Sequence, residues 1–140
     1  MTSGAASFTA DVLRGAGGVV DHRLSRRHLI NEYRRGRLRQ DQVCDAHPEL
    51  IRAASNVGAP ASNACPICEE QALRLVTYVF GSRLPAHGRC VSTAAELAKL
   101  NSRPDPLTAY VVEACVACRW HHLLRVLPVG HQPPRTRKLS

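Results

Sequence analysis

The sequence predicts an α+β fold: an N-terminal helical segment followed by a small antiparallel, zinc-ribbon-like β domain with an inserted short helix. Three observations point there. Two Cys-x-x-Cys turns, Cys65-Pro-Ile-Cys68 and Cys115-Val-Ala-Cys118, stand 46 residues apart. ALRLVTYVF, beside the first turn, favours β-branched and aromatic residues, as strands do, and the runs 108–114 and 119–127 flank the second turn as two further strands. The residues ahead of the first turn carry helix formers and helix stops instead.

Taken in order, residues 1–18 form a Gly/Ala/Ser-rich lead. They lack the basic-then-apolar order of a signal peptide and read as disordered. Residues 19–58 form an Arg-rich helical segment. Its first helix runs from Val19 to Arg37, with Gly36 as its stop. Asp41 caps a short turn through Val43 and Cys44. His47-Pro48 opens a second helix, because proline suits the first helical position. Leu50, Ile51, Ala54 and Val57 make its apolar face, and Gly58 ends it.

Residues 59–130 make up the ribbon-like domain. Residues 59–64 read as a connector, 72–80 as a strand and 81–88 as a loop. Thr93 and Glu96 form a capping box at the start of a short helix carrying Leu97 and Leu100. A loop at 101–106 leads into strands 108–114 and 119–127. Residues 131–140 are Pro-rich and basic and read as a disordered tail.

Only 4% of the 140 residues are aromatic, so a small core here gains from a further staple. The cysteines supply one. A two-residue spacer lets one tight turn aim two thiolates and several backbone N–H groups at one ion, and two such turns close a tetrahedron. Cys65, Cys68, Cys115 and Cys118 are therefore the expected ligands of one structural Zn²⁺ per chain. Iron is the alternative. Iron knuckles of this kind usually carry Gly after the second Cys, whereas Glu69 and Arg119 follow here. Cys44 reads as a small buried hydrophobe and Cys90 as a lone thiol with basic neighbours. His121 and His122 would point to opposite faces of a strand and so would not chelate one ion together.

The net charge is +8, and its placement matters more than its size. Residues 21–40 hold seven Arg against two acids, and the last ten residues hold Arg135, Arg137 and Lys138. These two segments account for the whole excess. Arg suits bidentate contacts to phosphate. Arg23, Arg27, Arg34, Arg35 and Arg37 are the expected partner-binding residues, with Trp120 either stacking on a base or capping the core beside the metal.

Several classes of function find no support in the sequence. It has no apolar run of about 18 residues, so no membrane helix is expected. It also lacks a nucleophile elbow, P-loop, dinucleotide-binding glycine motif, His-Glu-x-x-His or deaminase pattern.

The combination of VVDHRLSRRHLI, VCDAHPELIRAASNVG, CPIC, VTYVFG and VVEACVACRWHHLL resembles an uncharacterised actinobacterial family of small proteins, a domain of unknown function. The likeness spans about Val19 to Leu124. It implies a cytoplasmic protein with a four-cysteine site and no assigned activity.

The expected function is that of a non-enzymatic zinc-binding accessory factor in transcription or translation. Its partner would be RNA, DNA or a polymerase or ribosome surface, with no membrane and no small-molecule substrate. The alternative is a zinc-stapled protein–protein adaptor, which an exposed apolar patch would favour.

Overall fold

A computed structural model describes residues 19–131. The expectations for the lead, and for the tail beyond His131, lie outside the described residues. Six strands form one antiparallel sheet: β1 (Val20–Asp21), β2 (Ala59–Ala64), β3 (Ala72–Gly81), β4 (Arg89–Val91), β5 (Pro106–Ala114) and β6 (His121–Gly130). Their order is β1-β6-β5-β3-β2, and β4 pairs with the second half of β3. Among the described residues, four helices accompany the sheet: α1 (Arg23–Arg34), α2 (Gln40–Val43), α3 (Pro48–Val57) and α4 (Ala94–Asn101).

The α+β class holds, but the separate N-terminal helical segment does not. The described chain opens with a strand, Val20 pairing with Val126 and Asp21 with Arg125. α1 begins only at Arg23, where the Asp21 carboxylate accepts from the Arg23 backbone N–H at 2.9 Å. It ends at Gly36, whose φ of +79° is the left-handed conformation that glycine adopts without steric cost. α2 is capped at Arg39, two residues ahead of the expected Asp41. Gln42, not Asp41, satisfies its first turn by accepting from the Arg39 N–H at 2.8 Å.

α3 matches its expected span, with the His47 Nδ1 accepting from Glu49 N–H at 3.0 Å. Gly58 closes it for another reason than a left-handed cap: its φ is −66°, and a Cβ there would meet the Ala54 carbonyl oxygen at 2.5 Å. At α4 the Thr93 hydroxyl accepts from Glu96 N–H. The Glu96 carboxylate reaches back to the Ser92 N–H at 2.9 Å.

Residues 59–64 are not a connector but β2, and residues 89–91 are β4. Neither signals itself by alternation: APASNA is small and polar, and RCV is only three residues long. Both lie along one edge of β3 and follow the register that β3 imposes.

The sheet buries side chains on both faces. Leu97 and Leu100 of α4 cover Val79, Val91, Leu107, Ala109, Val111, Leu127 and Val129 on one face. Fully burying a Leu or Val side chain contributes about 1.5–3 kcal/mol. On the other face, Ala54 of α3 packs on Val76 and Ala114. That helix covers only one end. Beyond it Tyr78, Phe80, Tyr110, Val112 and Leu123 line an open apolar groove of about 490 Å³, with Phe80 edge-on to Tyr110 at 5.3 Å. A third cluster gathers Ile30, Val43, Ile67, Leu73 and Trp120 around Cys65 and Cys115.

Candidate metal centre

The register of the sheet assembles the four cysteines. Ala64 pairs with Ala72, so residues 65–71 turn between β2 and β3. Ala114 pairs with His121, so residues 115–120 turn between β5 and β6. β3 and β5 are antiparallel neighbours, with Arg74 opposite Ala114. Both turns therefore come to the same end of the sheet, although 46 residues separate them in sequence.

The two turns are built alike. Cys65 N–H donates to Gln71 O at 2.8 Å, and Cys115 N–H to Trp120 O at 2.9 Å. Glu69 N–H donates to Cys65 O, and Arg119 N–H to Cys115 O. Backbone N–H groups also point at sulfur: Ile67 N to Cys65 Sγ at 3.4 Å and Cys118 N to Cys115 Sγ at 3.5 Å. Glu69 and Arg119, the residues after each second cysteine, have φ of +61° and +74°. Glycine would sit there without strain, and a non-glycine residue costs about 1–2 kcal/mol. Arg119 offsets some of that by donating to the Ala46 carbonyl through Nε and Nη2.

The four sulfurs lie within 4.8 Å of one another and can hold a metal ion. Cys65 Sγ is 3.6 Å from Cys118 Sγ, and Cys68 Sγ is 3.7 Å from Cys115 Sγ. A tetrahedron with metal–sulfur arms of about 2.3 Å has an edge of about 3.8 Å. The donor set therefore fits a tetrahedral thiolate ion, with no ligand position left open. Cys65 and Cys115 are buried, and Cys68 and Cys118 are half-buried. Burial pushes the Cys65 and Cys118 thiols up to about 12 when no cation is present. Burial is the largest single influence on Cys68 too, but hydrogen bonds from the Glu70 and Gln71 backbone and from Cys115 and Cys65 together outweigh it and hold that thiol below its ordinary value. A metal must displace thiol protons to bind, so its affinity rises with pH.

Around the centre, Trp120 is fully buried, and its Nε1–H donates to Glu113 Oε2 at 2.8 Å. The Arg26 Nε donates to the same oxygen at 2.6 Å. Trp120 thus packs beside the metal end and cannot stack on a partner's base. His122 stacks on it with ring centroids 6.0 Å apart, while His121 bonds Asp45 at 3.0 Å. Cys90 on β4 is half-buried, and burial raises its thiol pKa, so it is not an activated thiolate.

The expected binding arginines divide. Arg23 pairs with Asp21 at 2.7 Å, and Arg35 and Arg37 share Glu32 at 3.6 and 3.2 Å. Arg27 and Arg34 have no carboxylate within ion-pair distance among the described residues. Together with Arg23, Arg26 and Asn31 they line a groove of about 270 Å³ that Pro66 of the first turn closes. The helical spacing of the arginines was legible in the sequence. That Pro66 faces them was not, since no local signal ties a helix to a turn so far along the chain.

A family profile described as a family of unknown function (DUF5318) matches residues 13–140. The chain belongs to that family. Among curated relatives, an uncharacterized protein of Mycobacterium tuberculosis (strain ATCC 25618 / H37Rv) is 41% identical over 120 residues, 83% of this chain and 88% of its own length. An uncharacterized protein of Mycobacterium bovis matches to the same extent, 41% identity over 120 residues. No solved structure matches. No helix among the described residues is long and apolar enough to cross a membrane.

Proposed function

We propose that this DUF5318 protein is a non-enzymatic, cytoplasmic binding module. A structural Zn²⁺ on Cys65, Cys68, Cys115 and Cys118 staples two hairpins in a ribbon-like arrangement. A nucleic-acid backbone lies in the groove between α1 and the first cysteine turn. The observation that carries this reading is the groove itself, where Arg23, Arg26, Arg27 and Arg34 converge on Pro66. Asp21 and Glu113 neutralise two of those charges. Arg27 and Arg34 remain to meet phosphates, and guanidinium groups bind phosphate bidentately. The metal contributes rigidity, and its closed thiolate shell leaves no position for substrate.

Removing two phosphate contacts is expected to change the salt dependence of binding in a countable way. With a fluorescent duplex DNA and a single-stranded RNA as probes, the double variant Arg27→Ala, Arg34→Ala should bind more weakly. On duplex DNA its slope of log affinity against log salt should fall by about 2. Unchanged affinity and slope on both probes would sink the polyanion reading. The adaptor reading would then take its place. It draws on the open apolar face formed by Tyr78, Phe80, Tyr110, Val112 and Leu123, a surface that suits another protein.

A further inference from the structure

A fifth sulfur stands at the metal centre. Cys44 follows α2, and its Sγ lies 3.5 Å from Cys118 Sγ, as close as the four clustered sulfurs are to one another. The backbone holds it there. Ala46 N–H donates to Arg119 O at 3.0 Å, Arg119 donates back to Ala46 O, and Asp45 bonds His121. Residues 44–46 are thus strapped across the second cysteine turn. Cys44 packs in the same cluster as all four ligands yet is not one of them.

We infer that Cys44 and Cys118 form an oxidant-sensitive pair that releases the metal as a disulfide. With zinc bound, the four ligand sulfurs are held about 3.8 Å apart by their bonds to the ion. Of the sulfurs touching Cys118, Cys44 alone is free to close to the disulfide length of about 2.05 Å. Access is compatible with the same pair: Cys44 and Cys118 are half-buried, as is Cys68, whereas Cys65 and Cys115 are buried.

The oxidant is a hydroperoxide. The Cys118 thiolate attacks its terminal oxygen, an S–O bond forms and the O–O bond breaks. The departing oxygen takes a proton and leaves as an alcohol, or as water from hydrogen peroxide. The Cys44 thiol then loses its proton and its sulfur attacks Cys118. An S–S bond forms, the S–O bond breaks and water leaves. Two thiols are oxidised by two electrons, which reduce the peroxide. The ion loses one of its four ligands, and a three-thiolate site binds it far more weakly.

The inference rests on the zinc reading, because zinc is what is released. The test therefore begins with the metal content of the full chain and then adds hydrogen peroxide. A chromophoric chelator follows free zinc, and peptide mapping follows cross-links. The expected result is zinc release together with a Cys44–Cys118 cross-link, both reversed by dithiothreitol with added zinc. Cys44→Ser and Cys44→Ala should each bind zinc as the parent does and release it severalfold more slowly. Equal release rates in both variants, or a cross-link among Cys65, Cys68 and Cys115 instead, would overturn the inference. A chain purified with no metal would instead count against the zinc reading itself, and the cross-link map would still decide whether Cys44 and Cys118 pair.

Discussion

Cys65→Ser is expected to empty the metal centre and lower the thermal midpoint by at least about 10 °C. The reasoning starts from burial. Cys65 is 1% exposed and packs with Ile30, Val43, Ile67, Leu73 and Trp120. Without an ion, that cluster has at its centre four thiols within 4.8 Å, their backbone N–H donors aimed at sulfur. An ion bound there would satisfy those groups together and tie the β2–β3 hairpin to the β5–β6 hairpin. Structural zinc sites in peptides supply about 10–16 kcal/mol of apparent binding energy at neutral pH, comparable to the whole stability of a domain. Calorimetry with parallel zinc analysis checks the expectation. A variant that melts with the parent while holding no metal would show that hydrophobic packing alone maintains the fold.

Glu113→Ala is expected to cost about 3–5 kcal/mol. Glu113 is 4% exposed, a carboxylate in the sheet interior. One oxygen accepts from Arg26 of α1 at 2.6 Å and from the Trp120 indole at 2.8 Å. Removing the carboxylate leaves a half-buried guanidinium and a buried indole N–H without their partner, and it opens a cavity. Arg26 has no other carboxylate within ion-pair distance among the described residues to take its place. Urea unfolding measures the change, and the replacement Glu113→Gln separates its parts. Gln keeps the volume and an acceptor but loses the charge, so its cost should fall between the parent and Ala. Equal stability of parent and Ala variant would mean that α1 is held to the sheet by its apolar side chains alone.

The two largest effects draw on different kinds of legibility. The four-cysteine cluster could be read directly, because Cys-x-x-Cys is a local pattern whose spacing suits a tetrahedral ion. The β3 and β5 strands and α3 were legible for similar reasons: alternation or continuous β-branched runs in the strands, and a proline start in the helix. Glu113 was invisible. In VVEAC it is one acid in an apolar run, and only the fold brings Arg26, 87 residues away, to meet it. Trp120 was ambiguous for the same reason. An Arg-Trp pair beside a cysteine turn fits a stacking surface or a core, and the Glu113 oxygen decides for the core.

β1, β2 and β4 were missed because edge strands of two, six and three residues inherit their geometry from a neighbour instead of from their own composition. The missed β1 also explains the misjudged N-terminal segment. Val19 to Arg37 looks like one helix in composition, but Val20 and Asp21 gain sheet hydrogen bonds with β6 that a first helical turn would forgo. Cys44 was read as a small hydrophobe because its sulfur neighbour lies 74 positions later. The Ala46–Arg119 strap that brings the two together has no sequence signature.

The most direct test of the account is the metal content of the purified chain, measured by elemental analysis alongside a count of reactive thiols under native conditions. The account expects one zinc per chain and protection of Cys65, Cys68, Cys115 and Cys118, with all six cysteines reacting only after the metal is stripped. A folded chain with no bound metal, whose clustered thiols react without chelator, would contradict it.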